Sequence, residues 1–294
     1  MTGMVSVKFN KSILNQNTEC YEERQLFFNH LKRFVAASAE NKSVTIVLHG
    51  SYATGEITPY SDIDLLAFYP FSLDKRRRKE ILRILSRITF YIHRRDPLMH
   101  HAVDVIDQNS LGFYDESALP IDTLKKSVLL FGSSEMSFSP DEVAARKGAK
   151  EKLLKTCEAI MCLKNSPVNR SQYKLKCLVS MVLLVPVLLL QADGRDFRDK
   201  KESLSIARLE YGAQFSFEAI ERATYIRELW QVPRMTKLIR SALIPFESHS
   251  YSPLWLQRLS GALPANGDFD VGDFLECTKI FAEEVLSYAK NNII

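Results

Sequence analysis

Hydrophobic positions change period several times over the first 138 residues, then keep a helical period almost to the end. Residues 18–38 place Leu26, Phe27, His30, Leu31, Phe34 and Val35 at steps of three and four, which predicts a helix with one apolar stripe. A short β run, Val44 to Leu48, ends at His49-Gly50-Ser51. Tyr52 to Glu56 reads as a brief helical turn and Thr58 to Ser61 as a loop. Asp62 to Phe68 opens with strict alternation and predicts a strand. Asp74 then starts a long charged helix with Ile81, Leu82, Leu85 and Ile88 as its packing face. A further β run covers His101 to Ile106 and a loop runs through 109–120. Thr123 to Phe131 fits either a helix or a strand, and Gly132-Ser133-Ser134 closes it.

The texture changes at Ser139-Pro140-Asp141-Glu142. This reads as a helix start with Ser139 as cap, Pro140 in the first position and acids in the first turn. Helices are predicted over 142–164, 171–192, 199–211, 214–230, 232–244 and 271–290. The expectation is an α+β protein in two parts, an α/β unit over 1–138 and an all-helical unit over 139–294. Pro186 is expected to bend or interrupt its helix, because proline lacks the backbone donor and crowds the preceding turn. Cys177 to Leu190 runs 14 residues without a charge. That is short of the roughly 17–25 apolar residues a membrane-spanning helix needs, and Lys174, Lys176 and Asp193 bound it. A buried core helix, and no membrane, is the reading.

Composition narrows the picture modestly. Hydrophobic residues make up 46% and charged ones 25%, a balance for globular domains rather than disorder. The formal charge of +4, from 39 Lys and Arg against 35 Asp and Glu, is compatible with a phosphate-rich ligand without requiring one. Five dispersed cysteines without a C-x-x-C pair, and an N-terminus without a signal-type apolar stretch, suggest reduced thiols and a cytoplasmic location.

The chemistry concentrates in three places. In a strand Asp62-Ile63-Asp64-Leu65, a two-residue repeat turns both aspartates to one face. Side-by-side carboxylates repel unless a cation or shared proton compensates, and hard oxygen donors suit Mg²⁺ or Mn²⁺ with bound phosphates. Asp104, in the alternating run Ala102 to Ile106, supplies a third acid from another strand. Such a set can hold two cations, one on a triphosphate and one on an attacking hydroxyl. Gly50-Ser51, at the end of a β run, offers close backbone approach and a hydroxyl donor to phosphate. No P-loop and no Rossmann glycine fingerprint is present. The ordinary reading of each piece alone is a turn aspartate or a capping serine; their order along the chain is what points to a site.

His49-Gly50-Ser51, Ser61-Asp62-Ile63-Asp64-Leu65 and Val103-Asp104-Val105 together resemble the signature of the DNA polymerase beta-like nucleotidyltransferase superfamily. The resemblance carried by these motifs spans about 44–106. It implies a small mixed sheet flanked by helices. Gly50 and Ser51 would contact a nucleoside triphosphate, Asp62 and Asp64 would bind both cations, and Asp104 would bind the acceptor-side cation. It also implies transfer of a nucleoside monophosphate, AMP by family habit, to a hydroxyl acceptor. A minimal transferase domain followed by helices is similar to aminoglycoside nucleotidyltransferases and to toxins that modify tRNA or protein. Asp193 to Glu202 loosely resembles a turn in the helical domain of the antibiotic enzymes. Ala53-Thr54-Gly55 departs from the Ala-Arg-Gly of many relatives and removes one phosphate or packing contact.

Several alternatives stay open. The acceptor is a small molecule or RNA, tRNA included, and the oligomeric state is not readable. A non-catalytic nucleotide-binding regulatory module would keep the fold, and a nuclease would use the same cations. Lys174 is the candidate from the helical part for added positive charge on the triphosphate. Lys75 to Lys79 read first as a solvated helix face and second as a contact for a nucleic-acid backbone. His49, His93, His100 and His101 lack zinc-ligand spacing and read as structural, with His49 placed to line the cleft. Trp230 and Trp255 read as core anchors.

Overall fold

A computed structural model of the chain describes residues 3–13, 21–40, 42–95, 98–99, 101–164, 168, 171–195, 200–231, 238 and 270–293. The chain divides into two compact units. The first includes the described residues up to Tyr114 and from Ile121 to Pro140; the second includes Asp115–Pro120 and the described residues from Asp141 to Gln231 and from 270 onward.

The first unit is built on a four-stranded sheet in the order β4-β3-β2-β5. Strand β2 (Thr45–His49) pairs antiparallel with β3 (Asp64–Tyr69) and with β5 (Val128–Phe131), and β4 (Asp104–Asp107) pairs parallel with β3. The parallel pair requires a crossover, which α3 (Lys75–Arg95) supplies. Because side chains alternate, Ile46, Leu48, Leu65, Ala67 and Tyr69 share one face. They join a single hydrophobic cluster with Phe28, Leu31, Val35 and Ala39 of α1 (Tyr21–Ala39) and with Ile81, Ile84, Leu85 and Ile88 of α3. The opposite face carries Val47, Leu66 and Phe68. Over its Phe68 end lies a second sheet, β1 (Val5–Lys8) antiparallel to β6 (Glu135–Phe138), with the Phe9 and Phe138 rings 6.4 and 5.9 Å from Phe68.

These elements differ from the sequence expectations at several residues. In α1 the buried stripe is Phe28, Leu31, Val35 and Ala39, while Leu26 is 60% exposed and His30 also faces solvent. In α3 Leu82 is exposed and Ile84 takes its place. Both shifts have one cause: adjacent apolar residues (Leu26, Phe27 and Phe28 in α1; Ile81-Leu82 and Ile84-Leu85 in α3) offer alternative stripes, and packing against the sheet selects between them. Strand β3 begins at Asp64, so Asp62 precedes it; β4 begins at Asp104 rather than His101. Thr123 to Phe131 divides between the short helix α4 (Ile121–Lys125) and β5. The pairing of β1 with β6 joins segments about 130 residues apart and has no local signal.

The second unit is helical. It comprises α5 (Glu142–Met161), α6 (Gln172–Ala192), α7 (Lys200–Tyr211), α8 (Glu218–Glu228) and α9 (Val271–Asn292). Asp141, not Ser139, caps α5: its carboxylate accepts from the Val143 and Ala144 N–H groups at 3.0 Å. Helix α6 continues through Pro186 to Ala192, so proline does not interrupt it. Among the described residues α6 is the one helix long and apolar enough to span a membrane, yet 72% of its most apolar window is buried within the protein. It packs against α5, α7 and α8, which makes it the core helix of this unit. Trp230 is buried as expected. Apart from residue 238, the expected helix over 232–244 lies outside the described residues, as do His100, Asp196 to Asp199 and Trp255.

Two predictions follow from this packing. Gly132 holds φ +98°, and a Cβ there would stand 2.6 Å from the Val44 carbonyl oxygen and the Thr45 Cα. Gly132→Ala should therefore destabilise the protein by about 2 kcal/mol or more, read as a lower urea midpoint at unchanged slope. Burial, followed by the charge of Glu158, pushes the Cys157 thiol up to about 12, whereas Cys162 is exposed. At pH 8 a thiol reagent should label Cys162 in the native protein and reach Cys157 only on unfolding. As pH rises above about 9, the unfolded chain sheds this proton while the folded one keeps it, so this contribution to stability declines.

Candidate active site

The strand pair β2–β3 sets the site. In its antiparallel register His49 stands opposite Asp64 and Leu48 opposite Leu65. After His49 the chain turns at once into α2 (Gly50–Thr54), with His49 extended as the capping residue. Gly50 makes this turn with φ +67°, a conformation costly to residues with a Cβ. A Cβ at Gly50 would lie 2.6 Å from Asp64 Oδ2. The glycine thus serves twice: it bends the backbone and leaves room for the carboxylate of the neighbouring strand. Ala53 is fully buried, and the Phe27 ring meets Tyr52 edge-on at 6.0 Å, which fixes α2 against α1.

The serine of the Ser61-Asp62 pair has a local task. Its hydroxyl accepts from the Thr58 N–H at 2.9 Å and lies 3.2 Å from the Thr58 hydroxyl, while Ser61 N–H donates to the Thr58 carbonyl. This closes the loop that delivers the chain into β3. Tyr60, Ser61, Asp62 and Ile63 are all buried, Asp62 to 8% exposure. Asp62 therefore reaches its place from a packed loop instead of by strand alternation.

Asp104 enters from the edge. In the parallel β3–β4 pair Asp104 stands opposite Leu66, and residues paired in this way point to the same side of the sheet. Alternation along β3 puts Asp64 and Leu66 on that same side. Asp64 and Asp104 accordingly share the sheet face opposite the α1–α3 core. Exposure falls along this face, from half-buried Asp64 to Leu66 at 2% and Phe68 at 0%. The acids occupy the end that the β1–β6 sheet leaves uncovered.

Among the described residues no three His, Cys, Asp or Glu side chains stand together closely enough to hold a metal ion. The backbone fixes the shared face of Asp64 and Asp104 and the burial of Asp62, not a gathered set of three oxygens. In donor type the three acids fit a hard divalent cation.

The remaining sequence candidates lie elsewhere. His93 is buried and its Nε2 lies 3.0 Å from the His101 carbonyl oxygen, the structural role expected of it. Lys174 belongs to the second unit, on the first turn of α6. Its N–H donates to the Ser171 hydroxyl at 3.4 Å, and its exposed ammonium stands 5.9 Å from the Tyr173 ring centre. Lys176, two residues on, is the buried lysine, at 1% exposure. The Thr54 hydroxyl lies 3.4 Å from the Ser51 carbonyl oxygen and from Glu56 Oε2. The spatial role of Gly50 against Asp64 is the site feature that linear spacing did not reveal.

Residues 31–130 match the family described as the nucleotidyltransferase domain. The matched span runs from within α1 to β5 and contains Gly50, Ser51, Asp62, Asp64 and Asp104. The chain carries a nucleotidyltransferase domain followed by a helical region, consistent with a DNA polymerase beta-like fold with a C-terminal helical domain. No curated protein matches the chain.

The Gly50–Asp64 contact yields a specific expectation. Gly50→Ala should cost about 1–2 kcal/mol through its φ alone and displace the Asp64 carboxylate. Asp64→Ala added to it should recover part of that loss, because the 2.6 Å clash disappears. A double-mutant cycle of urea unfolding checks this; strictly additive losses would contradict the contact.

Proposed function

We propose that this protein transfers a nucleoside monophosphate, AMP by analogy with the family, from a nucleoside triphosphate to a hydroxyl acceptor. The observation that carries the proposal is the placement of Asp64 and Asp104 on one sheet face beside the Gly50-Ser51 turn, within a nucleotidyltransferase domain. Asp62, Asp64 and Asp104 are the candidate ligands for Mg²⁺ or Mn²⁺. Bound there, such an ion would neutralise triphosphate charge and lower the pKa of the attacking hydroxyl. The three side chains would have to converge on it.

The protein's own groups supply the rest. Gly50 and Ser51 cradle the triphosphate through backbone N–H groups and a hydroxyl. The acceptor oxygen forms a bond to the α-phosphorus as the bond to the β-phosphate bridge breaks, and pyrophosphate leaves. Asp104, the most exposed of the three acids, accepts the hydroxyl proton. Lys174 is a candidate contact for the triphosphate, supported by its charge and exposure.

The test uses each of the four ribonucleoside triphosphates labelled at the α-phosphate, with Mg²⁺ or Mn²⁺. Total RNA, protein and small hydroxyl compounds serve as separate acceptor pools. Label should enter one pool, which names the acceptor and separates a small-molecule enzyme from one acting on tRNA or protein. Asp62→Asn, Asp64→Asn and Asp104→Asn should each reduce transfer by about 100-fold or more while remaining folded by circular dichroism. Folded wild-type protein that binds triphosphate but labels no pool would instead identify a regulatory nucleotide-binding module.

A further inference from the structure

Helix α3 concentrates charge far beyond the rest of the chain. Its 21 residues include nine Lys or Arg and one acid, Glu80, a net formal charge of +8 against +4 for the whole protein. Glu80 is already engaged, 2.8 Å from Lys42 and 3.5 Å from Arg76. Arg77 pairs with Asp74, and Arg78 lies over the Phe71 ring. Apart from Arg94 and Arg95, whose side chains lie outside the described ones, Lys75, Lys79, Arg83 and Arg87 remain. All four are exposed, and among the described residues none makes an ion pair.

Their spacing is regular. Steps of four residues form one ridge along a helix, with neighbours about 6 Å apart along the axis and about 18 Å from first to last. This arrangement works against the helix. Like charges at i,i+4 repel, and cations in the first turn oppose the helix dipole. A merely solvated face is better served by mixed charges, which occur on α8 as the Glu218–Arg222 pair. A ridge kept purely cationic at a cost to local stability points to an anionic partner with repeating charge.

We infer that the Lys75-Lys79-Arg83-Arg87 ridge is a docking surface for the phosphodiester backbone of a nucleic-acid strand. The inference is independent of the proposed transfer reaction, since it concerns binding alone. The ridge does not belong to the triphosphate site. The inward side of α3, with Ile81, Ile84, Leu85 and Ile88, packs in the same cluster as Leu65, Ala67 and Tyr69, so α3 lies on the sheet face away from Asp64 and Asp104. Nor does it suit a lipid surface, because the apolar side of the helix is committed to that core and cannot insert. Protein interfaces are depleted in lysine and centred on apolar anchors, and the ridge offers only Leu82. Repeating monovalent phosphates match evenly spaced single cations best.

Fluorescence anisotropy tests this with a labelled 30-nucleotide RNA, DNA of the same sequence, and vesicles containing phosphatidylserine, each across a salt series without triphosphate. Wild type should bind a nucleic acid, with log K falling against log[salt] at a slope of about −2.8 for four contacts to a single strand. Tighter RNA binding assigns the ridge to RNA, and tighter DNA binding assigns it to DNA. K75Q/K79Q/R83Q/R87Q should weaken binding at least tenfold and flatten most of that slope. K147Q/K155Q/K164Q/K290Q, an equal change of charge at exposed lysines of the second unit, should alter affinity less than threefold. Equal losses in both variants, an unchanged ridge variant, or vesicles bound in preference to nucleic acid would overturn the inference. Asp64→Asn should bind as wild type does, so a failure of catalysis leaves this result unaffected.

Discussion

The antiparallel pairing of β2 with β3 is the constraint on which the site depends. One register places His49 opposite Asp64, and the chain must then turn away at Gly50 without filling the space that the aspartate occupies. A slip of one residue would send Asp64 into the α1–α3 core and bring Leu65 to the open face. The register is held by burial: Ile46, Leu48, Leu65 and Ala67 are all at or below 1% exposure. Hydrophobic packing on one side of the sheet thereby fixes where charge stands on the other.

The same sheet divides its two faces by task. One is closed by α1 and α3 and carries the main core. The other is closed at its Phe68 end by Phe9 and Phe138 and ends in carboxylates at Asp64 and Asp104. The acids enter by three routes: Asp62 from a loop tied by Ser61 to Thr58, Asp64 from a central strand, and Asp104 from a parallel edge strand after a helical crossover. This topology brings Asp64 and Asp104, 40 positions apart, to one side of one sheet.

The helical region shows a related economy. Helix α6 is long and apolar enough to cross a membrane, yet most of its apolar window is buried within the protein, where it packs against α5, α7 and α8. Near its C-terminal end, Asp193 accepts a 2.7 Å hydrogen bond from the Tyr211 hydroxyl and pairs with Arg195. Burial and that hydrogen bond hold the tyrosine well above its ordinary pKa. This ties the end of α6 to α7.

By itself the sequence determined the class of fold and the identity of the candidate acids. Local chemistry carries that information: alternation in Asp62 to Leu65, glycine and serine after a β run, an aspartate within the alternating run Ala102 to Ile106, and a mostly helical periodicity after residue 139. Tertiary structure decided what local chemistry leaves degenerate. It chose which of two apolar stripes in α1 and α3 faces inward, joined β1 to β6 across the domain, carried α6 through Pro186, and moved the cap of α5 to Asp141. It also made Gly50 necessary, because the atom that a side chain there would strike belongs to a residue 14 positions later. Contacts between distant segments have no signature in spacing; they exist only once burial has selected a register.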